Sequence, residues 1–334
     1  MPNYKTCVKY IRDGLVEQEH EGIVLCSGKL EVESGKLNSF KTERLFNSEF
    51  NNKNSSNFQL NYPFYLRSCA KPLQASLIID YDTDKFFGFT EEEIALCCAS
   101  HAGEEIHTNI AQNILNKIGL DKSYLKCGLH KPLSKTRQNE MLLSGEKETE
   151  LHNNCSGKHI MMLAICKQKG WSLLDYYKPE HQLQIAIKNK IYELCEVNNE
   201  YPITTDGCGV PIVSMPLENM LKGYLNLFCN PKYEKIKNAF LNNPYIIGGE
   251  DRTDTKNIQN SKNIVAKVGA GGLCIVINTE KQDGFVVKII DCDMRAREFV
   301  VIEMLKKLNW ADIECDKTIK TLHGQVVGRI EVEL

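Results

Sequence analysis

Strand-like runs at both ends of the chain, separated by a long helical middle, constrain the fold more than any other feature of the sequence. The runs are short, apolar and partly alternating, which is typical of strands joined by tight turns. They occupy residues 7–33, 264–268, 273–279, 284–291 and 326–333. Turns are predicted at Asp13-Gly14 and Ser27-Gly28. The pattern predicts an α+β fold in which both chain ends build one antiparallel sheet.

The middle of the chain has the apolar period of helices. One buried helix is predicted to begin near Ser68, and the stretch 90–93, Thr-Glu-Glu-Glu, has the form of a capping box that starts another. Two polar stretches, 34–62 and 153–158, are predicted to be loops. Further helices are predicted after Glu104 and at residues 159–166, 180–197, 217–224, 231–242 and 293–308.

The length of 334 residues allows a large core in one domain or two. We expect one functional unit over 1–334. Its sheet lobe is predicted at about 1–66 and 245–334, and its helical lobe at about 67–244. The sequence leaves open whether the helices pack on the sheet or form a second lobe beside it.

Charge and composition exclude several classes of protein. Lysine and arginine number 41 against 43 aspartate and glutamate residues, and no basic stripe with interleaved aromatic residues occurs, so nucleic acid is not an expected partner. The longest apolar runs are too short to span a bilayer. The segment 1–5 lacks the apolar core of a signal peptide, which favours a cytoplasmic location. The 14 cysteines are therefore expected to be reduced thiols.

A Ser-x-x-Lys pair within residues 67–75 is the first candidate for chemistry. At the start of a helix, this spacing places the lysine one turn along on the same face as the serine. A buried lysine with a lowered pKa can take the serine proton, as in penicillin-interacting enzymes. The sequence contains three such pairs: Ser68/Lys71, Ser123/Lys126 and Ser144/Lys147. Only the first precedes an apolar helix, so we expect the dry site there.

Small polar residues flanked by Gly, Ala or Pro interrupt the core pattern at five places. These are residues 67–74, 99–104, 152–159, 206–211 and 266–272. Tight turns of this kind hold reactive groups and allow close approach of the backbone. The five clusters are therefore the expected components of a site.

Each cluster also has a structural interpretation. Ser100 is either a reactive hydroxyl or a turn residue at a helix end. Cys155 and Cys208, with Lys158-His159 beside the first, are either zinc ligands or structural thiols. Lys267 either joins the serine site, as the Lys-Thr-Gly strand does in penicillin-interacting enzymes, or is only a lysine at a strand end. The residues alone leave these alternatives open.

In their order along the chain, the clusters resemble the Rhizobium-type (class 3) L-asparaginases of the asparaginase II family. The octapeptide 152–159, His-Asn-Asn-Cys-Ser-Gly-Lys-His, is a highly specific piece, and the likeness spans most of the chain. The matching segments are 67–75, 98–104, 127–128, 152–159, 206–211 and 266–270, with weaker echoes at 14–22 and 295–297.

The resemblance implies a fold similar to serine β-lactamases and serine-dependent glutaminases, assembled as a homodimer. It implies hydrolysis of L-asparagine to L-aspartate and ammonia. Ser68 would be the nucleophile and Lys71 its base. Ser100 and Lys267 would form a second pair that relays protons and supports the acyl-enzyme.

The resemblance also implies a zinc ion that helps substrate binding more than bond breaking. Its ligands would be Cys155, Lys158 and Cys208. Because a lysine ligand must be neutral, metal binding would depend strongly on pH. Residues expected to contact the substrate are Arg67, His159 and Asp206.

Two positions depart from the family pattern. Asp254 stands where the family has a cysteine, and Gly271 stands where it has a glutamate, which removes a carboxylate beside Lys267. The departures keep other functions open. One is a related serine amidase that acts on glutamine, another amide or a β-lactam-like ligand. The other is a non-catalytic zinc- or ligand-binding protein on the same scaffold.

Overall fold

The fold is described from a computed structural model, in which residues 4–27, 32–33, 36–37, 42–44 and 61–334 are described. Most of the predicted loop 34–62 lies outside these residues, as do Gly28 of the predicted turn and residues 28–31 of the first strand-like run. The described residues suffice to test the predicted sheet, because both chain ends contribute long strands to it.

Thirteen strands form three sheets in the described part of the chain, and their pairings are antiparallel. They are β1 Lys5–Arg12, β2 Leu15–Ser27, β3 Val32–Glu33, β4 Lys36–Leu37, β5 Thr42–Arg44, β6 Phe64–Tyr65, β7 Ile203–Thr205, β8 Pro211–Met215, β9 Ile264–Gly269, β10 Leu273–Asn278, β11 Asp283–Ile289, β12 Thr318–Lys320 and β13 Val326–Val332.

The large sheet has eight strands in the order β12-β13-β1-β2-β11-β10-β9, with β5 paired to β2. The N-terminal strands β1 and β2 lie between β13 and β11 from the C-terminal end, with Val8 opposite Val332 and Val24 opposite Val287. The predicted α+β fold, with one antiparallel sheet built from both chain ends, is confirmed.

The hairpin between β1 and β2 confirms the predicted turn at Asp13-Gly14. Arg12 pairs with Leu15, so the turn has two residues. Their φ angles of 46° and 86° are both positive, as the tight turns of antiparallel hairpins require. Asp and Gly tolerate this conformation better than most residues, which explains why the turn could be predicted locally.

Twelve α-helices occupy the described residues, most of them between β6 and β9. They are α1 Ala70–Asp80, α2 Thr83–Phe87, α3 Glu91–Cys98, α4 Glu105–Lys117, α5 Lys135–Ser144, α6 Ser156–Lys169, α7 Gln182–Leu194, α8 Leu217–Phe228, α9 Glu234–Asn242, α10 Pro244–Ile247, α11 Thr253–Gln259 and α12 Met294–Lys307. The predicted capping box at Thr90 and Glu93 begins α3. Helices α8 and α12 pack on the large sheet, where they cover strands β10 and β11.

The start of α6 corrects one prediction. The predicted loop extended through Lys158, whereas the helix begins at Ser156. A glycine among small polar residues is typical of a turn, but here Gly157 allows two helices to pack closely. A Cβ at this position would lie 2.1 Å from the carbonyl oxygen of Leu96 in α3. The close approach of α6 to α3 fixes Cys155 and Lys158 at one helix end.

The turn before α1 is the part of the fold that positions the site. Residues 67–69 form a short 3-10 helix that runs directly into α1 and packs against β9. The proposed division into a sheet lobe and a helical lobe remains a prediction. Within the described residues, no helix combines the length and the apolar character needed to cross a bilayer.

Candidate active site

Ser68 lies in the turn that leads into α1, where its side chain is half-buried. The turn is fixed from two sides, because Cys69 Sγ donates to Lys267 O at 3.2 Å and Tyr224 Oη donates to Cys69 O at 2.7 Å. Arg67 has a φ of 47°, which is unusual for a residue other than glycine. No described residue hydrogen-bonds the Ser68 hydroxyl, so it is accessible to a ligand.

The other two Ser-x-x-Lys pairs are on the surface. Ser123, Lys126, Ser144 and Lys147 are all exposed. In contrast, α1 is buried from Ala70 to Ile78, as its apolar sequence predicted. Only the pair at Ser68 therefore has a lysine in a dry environment.

Lys71 is 1% exposed and has three oxygen neighbours, none of them charged. Its Nζ lies 2.8 Å from Ala99 O, 2.8 Å from Asn154 O and 3.0 Å from Ser100 Oγ. Burial lowers the pKa of Lys71, because no carboxylate offsets the loss of solvation. An ammonium with one hydrogen for each oxygen would satisfy these contacts, and so would a neutral amine that accepts the Ser100 hydroxyl.

Lys267 has the opposite environment. Its Nζ lies 2.7 Å from Asp254 Oδ2, and both side chains are fully buried. The other oxygen of Asp254 accepts the backbone N–H of Val268 at 2.6 Å. Asp254 thus supplies a carboxylate beside Lys267, although the family's glutamate is Gly271 here. In the described part of the chain, Ser100 is hydrogen-bonded to Lys71 and not to Lys267.

Cys155, Asp206 and Cys208 form a compact group of potential metal ligands. Their ligand atoms all lie within 4.8 Å of one another. The neighbouring Cys208 side chain lowers the pKa of Cys155 well below its usual value. Lys158 Nζ lies 2.9 Å from Cys208 Sγ and 3.8 Å from Asp206 Oδ2.

These residues fit a zinc site. Two buried cysteines and a carboxylate at these separations suit tetrahedral zinc, which would bind both sulfurs as thiolates with metal–sulfur bonds of about 2.3 Å. Burial alone would lower the pKa of Lys158, but Cys155, Cys208 and Asp206 raise it. The ammonium balances the negative charge of the group. A metal ion bound by the lysine nitrogen would have to displace that proton.

Asp206 connects this group to the serine turn. Its Oδ1 accepts from Arg67 Nε at 2.9 Å. Burial raises the pKa of Asp206, but Lys158 and Arg67 together lower it below its usual value. His159, which was predicted to contact the substrate, is fully buried, and its Nδ1 lies 2.7 Å from Tyr176 Oη. In the described chain, the ring contacts Tyr176 rather than the metal group.

A family model for L-asparaginase II matches residues 55–332. The chain belongs to the L-asparaginase II family. A comparison with curated proteins found no significant match, so this assignment rests on the family model. Membership in the L-asparaginase II family indicates an asparaginase-type amidohydrolase with an amide substrate. It says nothing about which side chains carry the reaction.

The sequence alone did not identify three hydrogen-bond partners of Lys71 and Lys267 in this asparaginase II family member. Two are the backbone carbonyls of Ala99 and Asn154, which no sequence pattern identifies as acceptors. The third is Asp254, which was noted only as a departure. The sequence holds no signal for this role, because residues 250–257 are polar throughout and the burial of Asp254 is visible only in the structure.

Proposed function

We propose that this asparaginase II family member hydrolyses L-asparagine to L-aspartate and ammonia through an acyl-enzyme on Ser68. The observation that carries the proposal is the environment of Lys71. It is a buried lysine with a lowered pKa and uncharged neighbours, one helical turn after a half-exposed serine. Lys71 could take the Ser68 proton once substrate binding brings the two groups within hydrogen-bond reach, or through Ser100, which already contacts Lys71.

Exposure favours Ser68 over Ser100 as the nucleophile. Ser100 is 3% exposed and its oxygen is already hydrogen-bonded to Lys71. Ser68 is half-buried and has no described hydrogen-bond partner, so a substrate carbonyl can reach it. We therefore assign attack to Ser68 and proton relay between Lys71 and the leaving group to Ser100.

The reaction would be an acyl transfer in two steps. Ser68 Oγ attacks the side-chain amide carbon while Lys71 takes the hydroxyl proton, directly or through Ser100. The carbon–nitrogen bond breaks, the nitrogen receives a proton, and ammonia leaves. Water then hydrolyses the ester to release aspartate. Backbone N–H groups at the start of the helical turn, including that of Ser68, would stabilise the oxyanion.

Lys267 would act through its charge. Its Nζ is held by the fully buried carboxylate of Asp254. A fixed positive charge beside the serine turn would favour the negative charge that develops during attack. The two lysines of the site would therefore have different roles in the reaction.

Substrate recognition is proposed for Arg67, Asp206 and His159. A guanidinium and a carboxylate side by side can pair with the two charged groups of an amino acid. Zinc held by Cys155, Lys158 and Cys208 would add a Lewis acid close to these groups. We propose that this region determines affinity, while the serines and lysines determine the rate of bond breaking.

A substrate panel tests the proposed function. Purified protein with zinc supplied should release ammonia from L-asparagine across about pH 7–9. L-glutamine and simple amides serve as comparison substrates, and faster release from one of them would favour a related amidase. Release from none of them, with zinc still bound, would favour the non-catalytic zinc protein. Light scattering tests the homodimer, which is proposed from the family resemblance alone.

We predict that Cys155→Ser weakens zinc binding by at least about 100-fold, because it removes one thiolate ligand. KM for asparagine should rise more than kcat falls. Metal analysis and a competing chelator measure the affinity. Cys127→Ser is a matched control, since Cys127 is also buried and lies outside the metal group. Unchanged zinc content and KM in Cys155→Ser would show that Cys155 is a structural thiol and not a zinc ligand.

The pH profile of kcat/KM provides a further prediction. Lys71 must be neutral to act as a base, so activity should rise with pH through its pKa. Because burial lowers that pKa from 10.5, the rise should occur below the range of a free lysine. Initial rates from about pH 6 to 10 measure it. A profile that is flat below the ordinary lysine range, or that rises only within it, would contradict Lys71 as the base.

A further inference from the structure

The two carbonyl oxygens that hold Lys71 come from segments far apart in the sequence. Ala99 directly follows α3, Asn154 lies just before α6, and each oxygen is 2.8 Å from Lys71 Nζ. The position of the amine therefore depends on how these two segments are held relative to each other. A contact that joins them, away from the reacting groups, would fix the amine in place.

His101 makes such a contact. Its Nε2 lies 2.9 Å from Ser156 Oγ, and both side chains are fully buried. His101 comes two positions after Ala99, and Ser156 comes two positions after Asn154. The bond therefore joins the two segments within two residues of both carbonyls that hold Lys71.

The neighbouring hydrogen bonds determine where the imidazole proton lies. Gly103 N–H donates to His101 Nδ1 at 3.1 Å, so Nδ1 carries the lone pair and Nε2 carries the hydrogen. The Ser156 hydroxyl donates to Leu151 O at 3.1 Å, which leaves its oxygen to accept from Nε2. This set of bonds needs a neutral ring, and burial lowers the pKa of His101 well below its usual value. A neutral imidazole offers one acceptor and one donor on a rigid ring, which suits a fixed link.

The face of the His101 ring is held as well as its edge. It stacks on His107, with the ring centroids 5.1 Å apart and the planes inclined by 15°. The His107 ring is itself tied to backbone groups, since Nδ1 accepts Glu104 N–H at 3.2 Å and Nε2 lies 3.2 Å from Tyr245 O. The link between the two segments is therefore built on a ring that has little freedom to move.

The metal group has an anchor of its own. Asn153 Oδ1 accepts the Cys155 N–H at 2.9 Å, and Asn153 Nδ2 donates to Cys127 O at 2.9 Å. Loss of the bond between His101 and Ser156 should therefore disturb the carbonyls around Lys71 more than the cysteine that follows them.

We propose that His101 is a positioning residue that holds Lys71 in place through its bond to Ser156. This role rests on the proposed function, in which Lys71 takes the serine proton. A displacement of about 1 Å in a catalytic group can slow a reaction by about 100-fold. The link acts two residues away from each carbonyl, so a smaller displacement and a smaller loss of rate are expected.

His101→Leu and Ser156→Ala each remove one side of the bond. Each should lower kcat for L-asparagine by at least about 10-fold and change KM by less than about twofold. The double variant should have a kcat within about twofold of the slower single variant, because both changes remove the same bond. His101→Gln keeps an N–H donor on the side chain, so its kcat should lie within about threefold of the unaltered protein.

His181→Gln is the matched control. His181 is buried and its Nδ1 also accepts a backbone N–H, from Leu183 at 3.1 Å, but it caps α7 instead of joining the two segments. Its kcat should be unchanged. Circular dichroism and thermal unfolding establish that each variant is folded. Unchanged kcat in folded His101→Leu and Ser156→Ala would overturn the proposal, and so would losses that multiply in the double variant.

Hydrogen exchange followed by mass spectrometry tests the link without turnover. In His101→Leu and in Ser156→Ala, the amides of residues 99–103 and 154–158 should both exchange at least about 10-fold faster than in the unaltered protein. Faster exchange only in the segment that carries the substitution would overturn the link. If the unaltered protein releases no ammonia from asparagine, the proposed function fails, and the exchange result alone then decides whether His101 holds the two segments together.

Discussion

Replacing Ser68 with alanine is expected to lower kcat for asparagine hydrolysis by at least about 10³-fold. The substitution removes the oxygen that would form the acyl-enzyme and leaves the buried contacts of Lys71 in place. Binding should change little, because Ser68 has no hydrogen-bond partner among the described residues. Initial-rate measurements of ammonia release give kcat, and calorimetry with asparagine gives the affinity of the inactive variant.

Two comparison variants make this result specific. Ser123→Ala alters the surface serine of another Ser-x-x-Lys pair and should leave the rate unchanged. Ser100→Ala should also slow the reaction, but an acyl-enzyme trapped with a slow substrate should then be found on Ser68 by mass spectrometry. A trapped acyl group on Ser100, or full activity of Ser68→Ala, would show that the nucleophile is assigned incorrectly.

Replacing Asp254 with alanine is expected to reduce the free energy of unfolding by about 3–5 kcal/mol. The substitution leaves the Lys267 ammonium fully buried without a counter-charge, and it also removes the acceptor for Val268 N–H. Urea denaturation measures the loss. Asp251→Asn is a control three residues away, because Asp251 is exposed, asparagine tolerates its φ of 56°, and its pair with Lys256 is worth at most about 1 kcal/mol.

The double variant Asp254→Ala/Lys267→Met distinguishes an ion-pair effect from general damage. Removing the lysine charge should restore most of the lost stability, since a neutral side chain has no need of the carboxylate. Activity should not return, because the fixed positive charge is also gone. If the double variant is as unstable as the single one, packing and the Val268 hydrogen bond account for the loss.

The large sheet and the positions of eight of the twelve described helices could be predicted because their signals are local, whereas α2, α5, α10 and α11 were not predicted. Positive φ angles suit Asp13 and Gly14, and the capping box at Thr90 involves residues three apart. The choice of Ser68 among three serines was also local, since only its helix is apolar. In each case, neighbouring residues carry the information that determines the structure.

The detailed contacts of the site could not be predicted because they join distant parts of the chain. Lys71 contacts the end of α3 and the start of α6, and no property of its own segment identifies Ala99 or Asn154 as its acceptors. Gly157 was assigned to a loop because its contact with Leu96 belongs to the packing of two helices. Such contacts depend on how the elements are placed in three dimensions.

The two departures from the family pattern show the same limit. Gly271 indicates a missing carboxylate when it is considered alone, and Asp254 indicates a missing thiol. In the structure, Asp254 places its own carboxylate on Lys267 at 2.7 Å. A Cβ at Gly271 would instead have only Cys292 Sγ within 4 Å, so the fold shows that Asp254 is the position that contacts the lysine.

The pairing of β1 with β13 has a consequence for synthesis of the protein on the ribosome. Lys9 lies opposite Glu331, so the centre of the large sheet cannot close until nearly the whole chain has been made. During translation, β1 and β2 can pair only with each other and with the three-residue β5, and so small a sheet is marginally stable alone. Their unpaired edges would remain exposed while the helices fold, so this stage is the one at which aggregation is expected and a chaperone has the most to protect.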